Sequence, residues 1–184
     1  MNKQRMNQRT AYLCAAFGIY LVDQASKTWA VATKPCIEKV TLINGFLDLS
    51  YAENRGIAFG QLQEGGTFGR WFFVALAIAA AVAVLVYFFR TTRNDGRMLG
   101  ACALLLAGIA GNLTDRARLG HVIDFILLHY KSFQWPVFNV ADMSISVGAF
   151  LLIYDMFGKS RNQESGARSQ KEKQESGVRS QESE

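Results

Sequence analysis

The chain has little charge, and its longest apolar run has none. Only 19% of the 184 residues are charged, while 50% are hydrophobic. The run from Trp71 to Phe89 lacks any charged residue and is long enough to cross roughly 30 Å of hydrocarbon at about 1.5 Å per residue. A core helix of a soluble bundle would normally keep a polar stripe. The scarcity of charge therefore argues against a soluble helical bundle and indicates a membrane protein.

Cysteine and histidine are also scarce. The three cysteines, Cys14, Cys36 and Cys102, are an odd and scattered set, which excludes a disulfide framework. The two histidines, His121 and His129, fall in no metalloprotease spacing. The sequence therefore predicts neither a metal nor a cofactor.

Three further segments are apolar enough to join the first in a membrane. Together they predict four transmembrane helices, at about Thr10 to Trp29, Trp71 to Phe89, Met98 to Leu113 and Val137 to Phe157. The first is not followed by a small-x-small cleavage site, so we expect a retained anchor rather than a cleaved signal. Residues 1–158 are predicted to form one membrane domain.

Three clusters of basic residues flank these segments on the same side, and they predict the topology. They form three clusters at the ends of the segments: Lys3, Arg5 and Arg9; Arg90, Arg93 and Arg97; Lys159 and Arg161. Basic loops face the cytoplasm, so both termini are predicted to be cytoplasmic. The tail, residues 159–184, holds six basic and five acidic residues and repeats ESGARSQ as ESGVRSQ, a composition that predicts disorder. The basic excess behind the net charge of +5 lies mostly in the clusters beside the helices. No separate basic patch is left, so no nucleic-acid partner is predicted.

Two connections are expected outside the membrane. In the first, Val40 to Ile43, then Asn44-Gly45, then Phe46 to Leu49 is a hairpin signature, so a small extracytoplasmic β-sheet is predicted between helices one and two. The second connection, Ala117 to Pro136, mixes aromatic residues with histidines and a lysine. It is expected to lie along the membrane interface.

Polar side chains converge at the predicted outer ends of the helices. They are Asp23 on helix one, Asn112, Asp115 and Arg116 on helix three, and Asn139 and Asp142 on helix four, with Asp124 in the second connection. Carboxylates beside hydrocarbon are costly and suggest a functional site. The plainer alternatives are that Asp115 and Arg116 form interfacial ion pairs and that Asn139 and Asp142 only cap a helix.

Two carboxylates can perform acid/base chemistry without a metal. An ionised member takes a proton from water, while a protonated member polarises the carbonyl under attack. A Ser26/Lys27 hydrolase is disfavoured because adjacent helical residues point about 100° apart. A small transporter or channel that uses Asp124 and Asp142 as a proton or ion site stays open as the alternative.

Five motifs in order resemble those of the bacterial lipoprotein signal peptidase family, also called signal peptidase II. They are LVDQASK around Asp23, ENRGIAFG around Asn54, GIAGNLTDR from Gly108 to Arg116, VIDF around Asp124, and FNVAD from Phe138 to Asp142. The resemblance spans about Leu21 to Gly148. It implies an intramembrane aspartic endopeptidase of the bacterial cytoplasmic (inner) membrane, with its site near the outer leaflet. It also implies that diacylglyceryl-modified prolipoproteins are cut just before the lipidated cysteine, and that the cyclic peptide globomycin inhibits this cleavage.

The resemblance also implies roles for individual residues. Asp124 and Asp142 match the catalytic pair, although the sequence assigns the resting proton to neither, because a coupled pair titrates as a unit. The residues matching substrate-pocket or dyad-adjacent positions are Asn54, Arg116, Asn112 and Asn139. Asp23, Asp115 and Gly108 match supporting positions. The family often has two glycines where this chain has Gly108-Ile109, so helix packing there is expected to differ slightly.

Overall fold

The computed structural model describes residues 3–34, 40–56, 67–91, 95–155 and 157 of the chain. Three helices are complete within these ranges: α1 (Lys3–Thr33), α2 (Thr67–Arg90) and α3 (Gly96–Leu119). A fourth, α4, begins at residue 140 and is described through residue 155. The polar tail 159–184 and Cys36 lie outside the described residues, so the predictions about them stay predictions.

All four predicted segments are helical, but their ends differ from the apolar boundaries. Helix α3 extends at both ends because capping groups close it: the Asp95 side chain accepts a hydrogen bond from the Arg97 N–H, and the Gly120 N–H donates to the Arg116 carbonyl with φ 83° at Gly120. Helix α4 begins after Asn139 rather than at Val137. Apolar length thus located the helices, while caps set their ends.

Two of the described helices are long and apolar enough to cross a membrane, Phe68–Arg90 and Gly96–Leu119. The two differ in surroundings. Helix α2 exposes most of its large apolar side chains, such as Leu76, Val82 and Phe89, whereas α3 buries most of its length. Four membrane spans therefore remain a prediction, with α2 and α3 as the two that composition supports directly.

Helix α3 lies at the centre and packs against α1 and α2. Small residues on α3 and α4 allow α4 to pack closely against α3. A side chain at Gly108 would clash with the Ala141 carbonyl oxygen and the Ile145 side chain, and one at Gly148 would meet the backbone at Ala101. Such contacts between small residues allow helix backbones to approach closely. The packing brings the first turn of α4 against the last turns of α3.

The sheet has four antiparallel strands in the order β1-β2-β3-β4. The predicted hairpin is confirmed as β1 (Val40–Ile43) and β2 (Leu47–Asn54), with Gly45 at φ 75° in the turn. The other two strands are β3 (Val122–Tyr130) and β4 (Phe133–Gln134). The sheet is larger than predicted, because the second connection, which was expected only to lie along the membrane interface, supplies β3 and β4.

Strand β3 was missed because its polar residues obscured a β-rich run, and it is the strand that carries Asp124. The run VIDFILLHY is mostly β-branched, aromatic or aliphatic, as strand interiors favour. Its first residues are buried, and Ile123 and Phe125 pack with Ala30 at the end of α1. The start of β3 therefore lies over the ends of α1 and α3.

Candidate active site

Asp124 and Asp142 are brought together by different elements. Asp124 lies on β3 and is 1% exposed, whereas Asp142 lies in the first turn of α4 and is half-buried. Asn139, the residue before α4, contacts both: its side-chain Nδ2 donates to Asp124 Oδ1 at 2.6 Å, and its backbone N–H donates to Asp142 Oδ2 at 3.3 Å. One asparagine thus ties the two carboxylates together.

Asn139 and Asp142 also cap α4, as the plainer alternative proposed. The Asp142 N–H donates to Asn139 Oδ1 at 2.9 Å, and the reciprocal Asn139–Asp142 bond completes a capping box. The cap leaves the Asn139 Nδ2 group free to donate elsewhere, and it points at Asp124. Capping and the contact with Asp124 therefore coexist in the same residue.

Asn54 approaches Asp124 from the neighbouring strand. Its Nδ2 donates to Asp124 Oδ2 at 3.0 Å, and its Oδ1 accepts from the Gly56 N–H at 2.9 Å. The antiparallel register pairs Asn54 with Val122 and Ala52 with Asp124, which places Asn54 near the start of β3. Both oxygens of Asp124 therefore accept an amide hydrogen bond.

Asn112 approaches Asp142 from α3. Its Nδ2 donates to Asp142 Oδ1 at 2.7 Å, and its Oδ1 accepts from Asn139 Nδ2 at 3.2 Å. Asn112 and Asn139 are 6% and 0% exposed, so the amide network is shielded from water. The predicted site residues Asn54, Asn112 and Asn139 all contact the aspartate pair.

Arg116 borders this network on the side of α2. Its guanidinium lies over the Phe73 ring at 5.5 Å from the centroid and interacts electrostatically with Asp142 and Asp124. The same Phe73 ring lies against Gly56, where a Cβ would be 2.5 Å from the ring. Arg116, Phe73 and Gly56 therefore form one wall beside the carboxylates.

Asp23 on α1 and Asp115 on α3, the predicted supporting residues, form a second carboxylate pair next to the first. Lys27 joins them, with its Nζ 3.0 Å from Asp23 Oδ2 and 2.9 Å from Asp115 Oδ2. Asp23 Oδ1 accepts from the Ala141 N–H at 2.9 Å, and Asp115 Oδ2 accepts from the Ile123 N–H at 3.3 Å. The pair thereby holds α4 and β3 to the helices.

Sequence reasoning missed Lys27 and Gln24 as members of this region. Lys27 is 1% exposed, and Gln24 Nε2 lies within 3.2 Å of both Asp23 Oδ2 and Asp115 Oδ1. The available signal was the four-residue spacing from Asp23 to Lys27, which places opposite charges on one helical face. Ser26 instead donates to the Asp23 carbonyl at 2.7 Å, so Ser26 and Lys27 point apart.

Burial governs the electrostatics of Asp124. Desolvation raises the pKa of Asp124 from its ordinary value to about 6; the charge of Asp142 acts in the same direction, whereas hydrogen bonds from Asn54 and Asn139 oppose it. Within the described ranges, no three His, Cys, Asp or Glu side chains are grouped to hold a metal ion. The arrangement can hold and release a proton beside a half-exposed carboxylate.

Comparisons with known proteins agree with one another. The family model described as Signal peptidase (SPase) II matches residues 15–158. The chain is 40% identical over 157 residues to the lipoprotein signal peptidase of Cellvibrio japonicus, covering 85% of this chain and 92% of that protein. It is 38% identical over 152 residues to the lipoprotein signal peptidase of Ectopseudomonas mendocina, covering 82% and 89%.

The fold is similar to that of a solved bacterial membrane enzyme. That structure, obtained by the in meso method at 2.3 Å resolution, superposes with a TM-score of 0.72 at 30% identity. The superposition covers 83% of this chain and 91% of the other.

Proposed function

The chain belongs to the signal peptidase II family, and we propose that it is an intramembrane aspartic endopeptidase acting on diacylglyceryl-modified prolipoproteins. It removes the signal peptide by cutting just before the lipidated cysteine. The observation that carries this proposal is the pair Asp124 and Asp142, joined through Asn139. Two carboxylates at one site can divide the acid and base roles of peptide hydrolysis.

The proposed mechanism assigns those roles from the surroundings. Asp124 is the acid, because burial raises the pKa of Asp124 to about 6 and lets it keep a proton that polarises the scissile carbonyl. Asp142 is the base that takes a proton from the attacking water. Water adds to the carbonyl carbon, Asp142 then passes the proton it took from water to the amide nitrogen, and the C–N bond breaks to release the new amine while the proton shared with the carbonyl oxygen returns to Asp124.

The neighbouring residues have distinct proposed tasks. Asn54, Asn112 and Asn139 orient the carboxylates through their amide groups. Arg116 forms part of the substrate pocket, where the neighbouring Phe73 ring supports its guanidinium. Asp23, Asp115 and Gly108 hold the helices on which the reacting groups are mounted, and globomycin is expected to occupy the pocket lined by Asn54 and Arg116.

Tryptophan positions support a site near one membrane surface. The chain has three tryptophans, Trp29 at the end of α1, Trp71 at the start of α2 and Trp135 just before α4, and they are 47%, 54% and 57% exposed. Tryptophan is enriched where hydrocarbon meets water. All three mark the end of the bundle that holds the aspartates, which we place at the outer leaflet of the cytoplasmic membrane, with both termini cytoplasmic.

The transporter or channel alternative requires ionisable groups deep in the membrane. The middle of α3, Leu104 to Ala107, and the middle of α2, Ala79 to Val84, are apolar. Most of the buried polar side chains of the described residues instead gather at one end of the helices, and Asp155 lies at the other end. This distribution favours chemistry at one surface over conduction through the protein.

The test compares two forms of one substrate with the purified full-length protein. A diacyl chain buried in lipid contributes about 0.8 kcal/mol per CH₂ and holds the adjacent peptide bond at the membrane surface. We expect the diacylglyceryl-modified prolipoprotein to be cut before its cysteine and the same chain without lipid to be cut far more slowly. Mass spectrometry of the products gives both the rate and the cleavage position.

Two further arms of this experiment separate the alternatives. A chelator is expected to leave cleavage unchanged, and globomycin is expected to inhibit it less in Asn54→Ala and Arg116→Ala than in the unaltered protein. Equal cleavage of lipidated and unlipidated substrate would replace the proposal with a general membrane protease. Proton or ion flux through vesicles containing the protein, without any cleavage, would favour the transporter.

A further inference from the structure

Lys27 is buried and uses all its donors. Its Nζ contacts Asp23 Oδ2 at 3.0 Å, Asp115 Oδ2 at 2.9 Å and Asn112 Oδ1 at 3.0 Å. An ammonium group has three N–H donors, so these contacts account for every one. A buried cation is tolerated only when it is paired and hydrogen-bonded, which makes its position strongly determined.

Charge neutralisation does not explain the contact between Lys27 and Asn112. Asp23 and Asp115 already carry two negative charges against the single positive charge of Lys27. The contact with Asn112 adds no charge balance, but it does constrain an amide. Because an ammonium can only donate, the Asn112 atom facing Lys27 must be the oxygen, and the NH₂ group must point away.

The NH₂ group of Asn112 points toward Asp142. Asn112 Nδ2 donates to Asp142 Oδ1 at 2.7 Å. If the amide were turned over, its NH₂ would face the ammonium and its oxygen would face the carboxylate, so both contacts would become repulsive. Asn112 Oδ1 also accepts from Asn139 Nδ2, which in turn donates to Asp124. The orientation of the Asn112 amide, which Lys27 sets, therefore affects hydrogen bonds to both Asp142 and Asp124.

We infer that Lys27 is a positioning residue for the reaction, because it holds the Asn112 amide in the one orientation that presents an N–H to Asp142. This inference rests on the proposed function, since it concerns the geometry of the proposed catalytic pair. Lys27 lies behind Asn112 and contacts its oxygen, so it acts through that amide rather than on the substrate.

A double-mutant cycle tests whether Lys27 acts through Asn112. We compare Lys27→Met, Asn112→Leu and the combined variant by kcat and KM on the lipidated prolipoprotein. Misplacing a catalytic group by about 1 Å can cost about a hundredfold in rate, so Lys27→Met is expected to lower kcat by about tenfold to a hundredfold with KM nearly unchanged. The combined variant is expected to be no slower than the slower single variant, as for residues in one chain of contacts.

Gln24 provides the matched control. Its Nε2 contacts Asp23 Oδ2, Asp115 Oδ1 and the Gly111 carbonyl, so it belongs to the same ion cluster but not to the contact with Asn112. Gln24→Leu is expected to lower thermal stability and to combine with Asn112→Leu independently in kcat. If Lys27→Met also combines independently with Asn112→Leu, Lys27 is only structural and the inference is overturned.

A spectroscopic measurement decides the question when turnover is too slow to measure. The side-chain amide signal of Asn112 in ¹⁵N-labelled protein is identified by its absence in Asn112→Leu. It is expected to move strongly in Lys27→Met and little in Gln24→Leu. An unmoved signal in Lys27→Met would contradict the positioning role.

Two provisions keep the result interpretable. Where Lys27→Met does not fold, it is combined with Asp115→Asn. This combination keeps the net charge of the cluster, since Asp23 then remains as its one charged member. The cycle is repeated on that background. Unaltered protein and Asp124→Asn are measured in the same assay. Failure of the unaltered protein to cleave, or full turnover by Asp124→Asn, overturns the proposed function; an independent cycle alone overturns only the role of Lys27.

Discussion

Two carboxylate pairs lie next to each other in this protein, and they differ in what separates their members. Asp23 and Asp115 share the ammonium of Lys27 at 3.0 and 2.9 Å. Asp124 and Asp142 instead receive amide groups, from Asn139 at 2.6 Å and from Asn112 at 2.7 Å. The first pair shares one full positive charge, whereas the second pair is oriented by neutral donors.

This difference supports assigning a structural role to the first pair and the proposed catalytic role to the second, the reactive pair. Removing one member of a buried ion cluster is costly, because the remaining buried charges lose a partner. Amide donors orient a carboxylate with less charge stabilisation, so burial raises the pKa of Asp124 to about 6. A carboxyl group that exchanges its proton near neutrality can take part in acid/base catalysis.

The same chemical change at both pairs should cost unequal amounts of stability. Asp23→Asn removes one of the two carboxylate charges that Lys27 faces and weakens charge-assisted hydrogen bonds, which is expected to lower the free energy of unfolding by about 2–3 kcal/mol. Asp124→Asn is expected to cost less than about 1 kcal/mol, since burial already disfavours the charged form at that position. Denaturant unfolding of both detergent-solubilised variants measures the contrast, and an equal loss of stability would remove the distinction between the pairs.

The structural pair can also be disturbed without changing its charges. A side chain at Gly111 would clash with the Asp23 carboxylate and lie 3.2 Å from the Ala141 Cβ. Gly111→Ala is therefore expected to lower the free energy of unfolding by about 1–3 kcal/mol, as overpacking does. Gly18→Ala is the control, because nothing lies within 4 Å of that position; a similar loss in both variants would contradict the close contact at Asp23.

The sequence predicted the helices better than the sheet. It also singled out polar residues that the structure brings together around Asp124 and Asp142, whose roles stay predictions. Apolar length located four helical segments, and Asn44-Gly45 located the β1–β2 hairpin, because both signals are local. Strand β3 escaped prediction because its pairing with β2 joins residues distant in the chain, such as Ala52 and Asp124. The contact of Lys27 with Asn112 escaped for the same reason, since 85 positions separate the two residues.

The reactive pair should respond to pH through Asp124. As pH rises through about 6, Asp124 loses the proton that polarises the carbonyl, so kcat/KM is expected to fall along that limb. The Asn54 hydrogen bond lowers the pKa of Asp124, and Asn54→Ala should therefore move the limb to higher pH. Glu53→Gln is the control, because Glu53 is the neighbouring residue and pairs with Lys34 instead; equal movement in both variants, or none in Asn54→Ala, would count against Asp124 as the acid.

The most direct test of the account is the activity of three Asp→Asn variants on the lipidated prolipoprotein. Asp124→Asn and Asp142→Asn keep the side-chain shape but cannot exchange the proton, so each is expected to lower kcat by about a thousandfold or more. Asp155→Asn changes another buried carboxylate of α4 and is expected to leave turnover of the folded variant nearly unchanged, because Asp155 lies about 20 Å further along the helix, too far to contact the reacting groups. Full turnover by folded Asp124→Asn or Asp142→Asn would contradict the account.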